Sequence, residues 1–219
     1  MVLDKSILLN KDMLKRFYSA ILLLPIYFYT IFYNNFISIV IILLTSLVLS
    51  YEWFYITQTN QKKNNLFFFV FLVFLNLFIS SFISFNISIL ITIVLSFIII
   101  FKFYFIKLDF KNLSWLFYGF VYISLPLIIF FEIKTHEIGI KLLLWLFITV
   151  ISTDIFSYLF GNFFKGPKIF PIISPSKTVS GTVAGISSGT ILGTLFWMYY
   201  VNFDFNYKIL FFSFIISLF

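Results

Sequence analysis

The sequence predicts an all-α fold, a polytopic transmembrane helical bundle, and three observations carry that prediction. Of its 219 residues, 62% are hydrophobic and only 11% charged, against roughly 25% charged in soluble domains. Mean hydropathy is +1.08. Apolar stretches recur at about the 20-residue length that crosses a hydrocarbon core as a helix. A soluble globular domain is therefore excluded. Phe occurs 35 times, which a compositional bias in the coding DNA explains without any functional role.

Taken in order, the elements are about seven full spans plus a short eighth. A charged lead (Asp4, Lys5, Lys11, Asp12, Lys15, Arg16) precedes an apolar run from Phe17, and no small-x-small cleavage site follows. This reads as an uncleaved first span rather than a removed signal peptide. Polar breaks place spans at 17–33, 36–56, 66–84, 86–106, 113–131, 140–160 and 179–201. Asn34-Asn35 and Phe85-Asn86 look like tight helical hairpins. The last apolar segment runs from Lys208 to Phe219, 12 residues, too few to cross. The whole is expected to be one integral-membrane domain: N-terminal hairpins over 1–131, motif-bearing helices and their loop over 140–201, and an incomplete final span over 208–219.

Orientation follows from the basic residues. With the N-terminus inside, the inner loops hold Lys5, Lys11, Lys15, Arg16, Lys62, Lys63, Lys102, Lys107, Lys111, Lys165, Lys168 and Lys177. Only Lys134, Lys141 and Lys208 fall outside. Twelve against three is a positive-inside bias, and it puts the 161–178 loop in the cytoplasm. The net charge of +7 is spread over these loops, so no nucleic-acid partner is expected. The absence of cysteine excludes a disulfide framework and a cysteine zinc site.

One stretch departs from generic membrane composition. Residues 154–193 hold six of the eight glycines and three of the five prolines, together with Asp154 inside an apolar span. Polar and backbone-permissive residues are costly in a bilayer, which points to function. Asp154, Tyr158 and Gly161 recur at i, i+4 and i+7, the spacing of one helix face. Asp154 is placed about a turn and a half from the end of its span. Its alternative role is a structural pairing with Lys177 or Lys168, and the two are compatible. Ser174-Pro175-Ser176-Lys177-Thr178 has the chemistry of a helix start, with Ser174 as N-cap and Pro175 in the first turn. Helix amides beside Lys177 and two hydroxyls would suit a phosphate. On these five residues alone, a plain cap with a snorkelling lysine is the better account of the segment. Gly181, Gly185, Gly189 and Gly193 recur every fourth residue, and this stripe is expected to pack its helix closely against a neighbour. Glu52 stands near the inner end of the second span, either lining a site or resting at the interface. His136, the sole histidine, reads as a solvated loop residue.

The pattern D-x-x-x-Y-x-x-G followed by K-x-x-P-x-I-S-P-x-K-T-x-x-G, spanning Asp154 to Gly181, resembles the bacterial CDP-diglyceride synthases, or phosphatidate cytidylyltransferases. Weaker echoes are Lys15-Arg16, Tyr51-Glu52-Trp53 and Gly119-Phe120-Val121-Tyr122. The resemblance implies a multi-pass enzyme of the bacterial inner (cytoplasmic) membrane, a possible homodimer. CTP and phosphatidate from the membrane lipid would give CDP-diacylglycerol and pyrophosphate, with Mg2+ as cofactor. The expected site has Asp154, Lys168 and Lys177 as catalytic residues, with Asp154 also a metal ligand. Ser174, Lys177, Thr178 and Tyr158 are expected to bind substrate phosphate. Gly161, Pro175, Gly181, Gly185, Gly189 and Gly193 are expected to be structural. Where the family usually has glycine then lysine after the sixth span, this chain has Lys165-Gly166-Pro167. The family also carries K-R, K-D, P-G-H-G-G and D-R-x-D elements in a C-terminal segment, and this sequence stops at Phe219, in the span expected before it. The sequence alone therefore leaves open a truncated or split, inactive relative, and, from another class, a small transporter or scaffold.

Overall fold

The computed structural model describes residues 25–33, 36–57, 63–105, 109–164, 166–170, 174–201 and 207–218. The side chains of 63, 64, 170 and 174–176 lie outside the description, as do Lys15-Arg16, Lys62, Lys107, Lys165 and most of the expected first span. Residues 25–32 are helical (α1). They are followed by α2 (Phe36–Thr57), α3 (Lys63–Ser80), α4 (Phe85–Phe105), α5 (Phe110–Thr135) and α6 (Gly139–Phe164). Two short strands come next, β1 (Lys168–Phe170) and β2 (Ser174–Thr178), then α7 (Val179–Tyr200) and α8 (Tyr207–Leu218). Among the described residues the fold is all-α apart from that hairpin, and α2 to α8 each begin and end within a few residues of their expected spans.

Among the described residues, α2, α4, α5, α6 and α7 are long and apolar enough to cross a membrane, whereas α3 and α8 are shorter. At most a third of each crossing window is buried inside the protein. Phe36, Phe67, Phe110, Phe163 and Tyr199 are all more than 70% exposed. Side chains so apolar and so exposed require an apolar surrounding, which a bilayer supplies. Many hydroxyls inside these helices bond back to their own turns, whereas Ser80 and Ser124 are buried without a partner among the described residues. Ser46 donates to the Leu43 carbonyl at 2.7 Å and Thr149 to that of Trp145 at 2.8 Å, so burial leaves both satisfied.

The chain forms two compact units, one up to Thr135 and one from His136. In the first, α2 to α5 enclose an apolar core with Phe54, Phe69, Val73, Leu77, Ile99, Phe103, Leu116 and Phe120. Asn76, fully buried, donates to Thr92 Oγ1 at 3.0 Å between α3 and α4. Trp53 lies flat against α5 at Gly119, where an added Cβ would come within 1.9 Å of its Nε1. The missing side chain uncovers the carbonyl one turn back, and Trp53 Nε1 donates to Trp115 O at 3.0 Å. Tyr51-Glu52-Trp53 and Gly119-Phe120-Val121-Tyr122, distant in sequence, thus meet at one contact, with Glu52 exposed beside it.

In the second unit, α6 and α7 run antiparallel at close range, and α8 packs on both. His136 is exposed in the turn before α6, whose Gly139 N–H bonds the His136 carbonyl at 2.9 Å. This unit holds the motif.

Candidate functional site

The glycine stripe of α7 has a partner row on α6 with the same four-residue spacing: Thr149, Thr153, Ser157 and Gly161. A Cβ on Gly193 would lie 2.3 Å from Thr149 Oγ1, and one on Gly189 2.0 Å from Thr153 Oγ1. On Gly185 it would lie 1.8 Å from Ser157 Oγ, and on Gly181 2.5 Å from the Ser157 carbonyl and 3.0 Å from Gly161 Cα. Matching rows of four-residue period let two backbones touch along a shared seam. The expectation that the stripe packs closely on a neighbour is met, and the neighbour is α6. Continuing the seam, α8 adds Ser213, which accepts from Trp145 Nε1 at 3.0 Å, and Ser217, 3.1 Å from Thr190 Oγ1.

Asp154 and Tyr158 stand beside this seam and are exposed, whereas Gly161 is half-buried against α7. The shared face expected of the three residues is split by the packing: Gly161 belongs to the contact, and the other two to the open side next to it. Asp154 also lies deeper than expected. The helix continues to Phe164, so the carboxylate stands almost three turns, about 15 Å, from its end.

The segment Ser174–Thr178 corrects the sequence reading. It is a strand, paired antiparallel with Lys168–Phe170, with Lys168 opposite Thr178 and Phe170 opposite Ser174. The helix starts after it. Thr178, with φ −111 and ψ 153, is the N-cap of α7, and its hydroxyl accepts from Gly181 N at 3.2 Å. Ser174 is not the cap and Pro175 is not in the first helical turn. The reason is nonlocal: the fixed φ of Pro175 suits an extended segment as well as a helix start, and β1 provides backbone partners for the extended form.

The helix start is also less open to an anion than expected. Val179 N donates to the Pro167 carbonyl at 2.9 Å and Gly181 N to Thr178, so two of the first amides are used within the protein. Charge at this end comes from the hairpin instead. Lys168 and Lys177 are both exposed. Lys168 stands opposite Thr178, and the register between the strands shifts between Lys168 and Phe170, as at a bulge. The side chain of Ser174 lies outside the described residues. Gly166 closes the base of the hairpin on α7: a Cβ there would lie 2.8 Å from Ser180 Oγ. Gly166, Ser157, Thr153 and Thr149 were not singled out from the sequence. The four-residue spacing of the last three with Gly161 was the available signal.

Among the described residues no group of three or more His, Cys, Asp or Glu could hold a metal ion, and Asp154 is a single carboxylate. That fits Mg2+ only in the form this ion commonly takes with nucleotides, one or two protein carboxylates plus substrate phosphates and water.

A basic hairpin set at the end of a glycine-packed helix pair, about two turns along α6 from a lone carboxylate, in a chain whose described residues include five helices apolar enough to cross a membrane, defines a multi-pass membrane protein. The chain belongs to the cytidylyltransferase family, whose sequence profile matches residues 14–219. Its relatives include the phosphatidate cytidylyltransferases of Chlamydia muridarum (strain MoPn / Nigg), 41% identical, and of Chlamydia trachomatis serovar D, 39% identical. Each match extends over 66 residues, 27% of this chain and 22% of the relative.

Proposed function

We propose that this protein transfers the cytidylyl group of CTP to phosphatidate, at the bacterial cytoplasmic membrane and with its hairpin on the cytoplasmic side. An oxygen of the phosphatidate phosphate bonds to the α-phosphorus of CTP as the bond to the bridging oxygen breaks. CDP-diacylglycerol stays in the membrane and pyrophosphate leaves to the cytosol. Family membership and the activity named for the chlamydial relatives support the reading, although those matches cover a minor part of each relative. The observation that carries it is the contact of Thr178 with Gly161, which ties the hairpin bearing Lys168 and Lys177 to the helix bearing Asp154.

Such a transfer asks the protein mainly to position two phosphates and to neutralise their charge. Lys168 and Lys177 provide two exposed cations on one hairpin, one for a triphosphate and one for a lipid phosphate. By the resemblance, the hydroxyls of Ser174 and Tyr158 are further expected contacts of the phosphates. Asp154, about 10 Å along α6 from Gly161, would hold Mg2+ bound to the CTP phosphates, where the ion would stabilise charge on the leaving pyrophosphate. A second copy of the chain is a further expected partner by the resemblance, testable by cross-linking in native membranes.

The test is CTP-dependent formation of CDP-diacylglycerol by the full-length protein in membranes. Lys177→Ala is expected to reduce turnover by about 100-fold or more while the protein still inserts. Retained turnover in that variant would remove Lys177 from the site, and no turnover in the wild type would sink the reaction itself.

A further inference from the structure

We propose that Thr178 is a positioning residue, the latch that fixes the hairpin to the α6–α7 seam, rather than a phosphate contact. Its role in turnover rests on the reaction proposed above; its role as a latch does not. Three contacts converge on this one hydroxyl. It accepts the Gly181 amide at 3.2 Å as the cap of α7. It lies 3.3 Å from Ser180 Oγ, the side chain over which Gly166 closes the hairpin base. It also seats in the notch left by two glycines: added Cβ atoms would approach it to 3.0 Å from Gly161 on α6 and 3.1 Å from Gly181 on α7. The Thr178 carbonyl is engaged as well, accepting from Thr182 Oγ1 at 3.1 Å.

The consequence is mechanical. Lys177 is the residue before the latch and Lys168 is the cross-strand partner of the latch, so both lysines take their positions from Thr178. Asp154 takes its position from α6, which meets the latch at Gly161. When its O–H is donated to Ser180 Oγ, the Thr178 hydroxyl has no proton left for a phosphate. Its chemistry fits a cap, where serine replaces threonine well and an isosteric valine does not.

Two experiments on the full-length protein test this. In detergent, trypsin cleavage after Lys168 and Lys177 reads the opening of the hairpin without reference to activity. Thr178→Val is expected to be cut about fivefold faster than wild type, as a lost helix cap opens its segment, and Thr178→Ser at the wild-type rate. Equal rates for valine and wild type overturn the proposal. In membranes, Thr178→Val is expected to lower kcat by about tenfold, the size of a small misplacement of reacting groups, with KM for CTP within twofold of wild type. Thr178→Ser restores it. Gly161→Ala, which pushes on the latch without reaching substrate, is expected to show the same pattern. The double variant should then be no worse than Thr178→Val alone, because both changes release one contact. Losses that multiply, or a raised KM in Thr178→Val alone, would make Thr178 a substrate contact and overturn the proposal. A wild type without turnover refutes the proposed reaction and leaves the trypsin comparison to decide the latch.

Discussion

The unit up to Thr135 and the unit from His136 both bury hydroxyls, but they differ in what stands beside them: large apolar side chains in the first, a row of glycines in the second. The first packs large apolar side chains: Phe69, Phe103 and Phe120 are its largest fully buried groups. The second buries glycines and hydroxyls: Gly181, Gly185, Gly189 and Gly193 on α7, Thr149 and Ser152 on α6, and Ser213 and Ser217 on α8. In a bilayer, burying phenylalanine against phenylalanine gains little from the hydrophobic effect, since the lipid outside is as apolar as the core. What remains is dispersion and shape, which side chains of many rotamers satisfy in several ways. A seam of backbone against backbone has one geometry. The motif from Asp154 to Gly181 sits in the unit of the second kind, where the reaction proposed above asks a carboxylate on one helix to keep a fixed distance from lysines beyond the end of the other.

Gly185→Ala should break the comparison most sharply. Its new methyl meets Ser157 Oγ at 1.8 Å and the Thr153 backbone carbonyl at 2.8 Å, and the carbonyl cannot turn away. A loss of about 3 kcal/mol, read as thermal unfolding in detergent, is expected, and removing the Ser157 side chain as well should recover only part of it. Full recovery would mean that the seam is as adaptable as the apolar core.

Gly119→Ala probes the one place where the first unit uses the second unit's device. The methyl would meet the Trp53 side chain first, 1.9 Å from Nε1. The expected loss is about 2 kcal/mol, with most of it recovered when Trp53 is also shortened to Leu. A double variant as unstable as the single would place a backbone clash where the structure shows a side-chain one.

The smallest effect should come from the buried amide. Asn76→Leu removes the bond to Thr92 and leaves an apolar side chain of similar size in an apolar core. About 0.6 kcal/mol is expected, the average for a hydrogen bond between membrane helices. A loss several times larger would show that the first unit, too, depends on one specific geometry.

Much of the molecule was legible in the chain. Helix positions follow from apolar runs long enough to span a bilayer, because the backbone must bond to itself where water is absent. The motif from Asp154 to Gly181 pointed to its family, and the glycine period announced a close helix contact. Other features could not be read locally. Ser174-Pro175 is equally compatible with a helix start and a strand, since an N-cap residue and a strand residue occupy the same backbone region. Only Lys168–Phe170, paired alongside, decides for the strand and passes the cap to Thr178. The i, i+4, i+7 spacing put Asp154, Tyr158 and Gly161 on one face, but could not say where along that face α7 would lie.

By itself, then, the sequence determined the membrane class, the helices and the family, all of which depend on composition, period and short-range pattern. Tertiary structure alone decided that Thr149, Thr153, Ser157 and Gly161 face the glycine stripe, that Trp53 rests on Gly119, and that Thr178 holds the hairpin. Each of these is a contact between residues distant in the chain or a choice between two local forms of similar energy, and such choices are settled by whichever partner the rest of the fold brings within bonding distance.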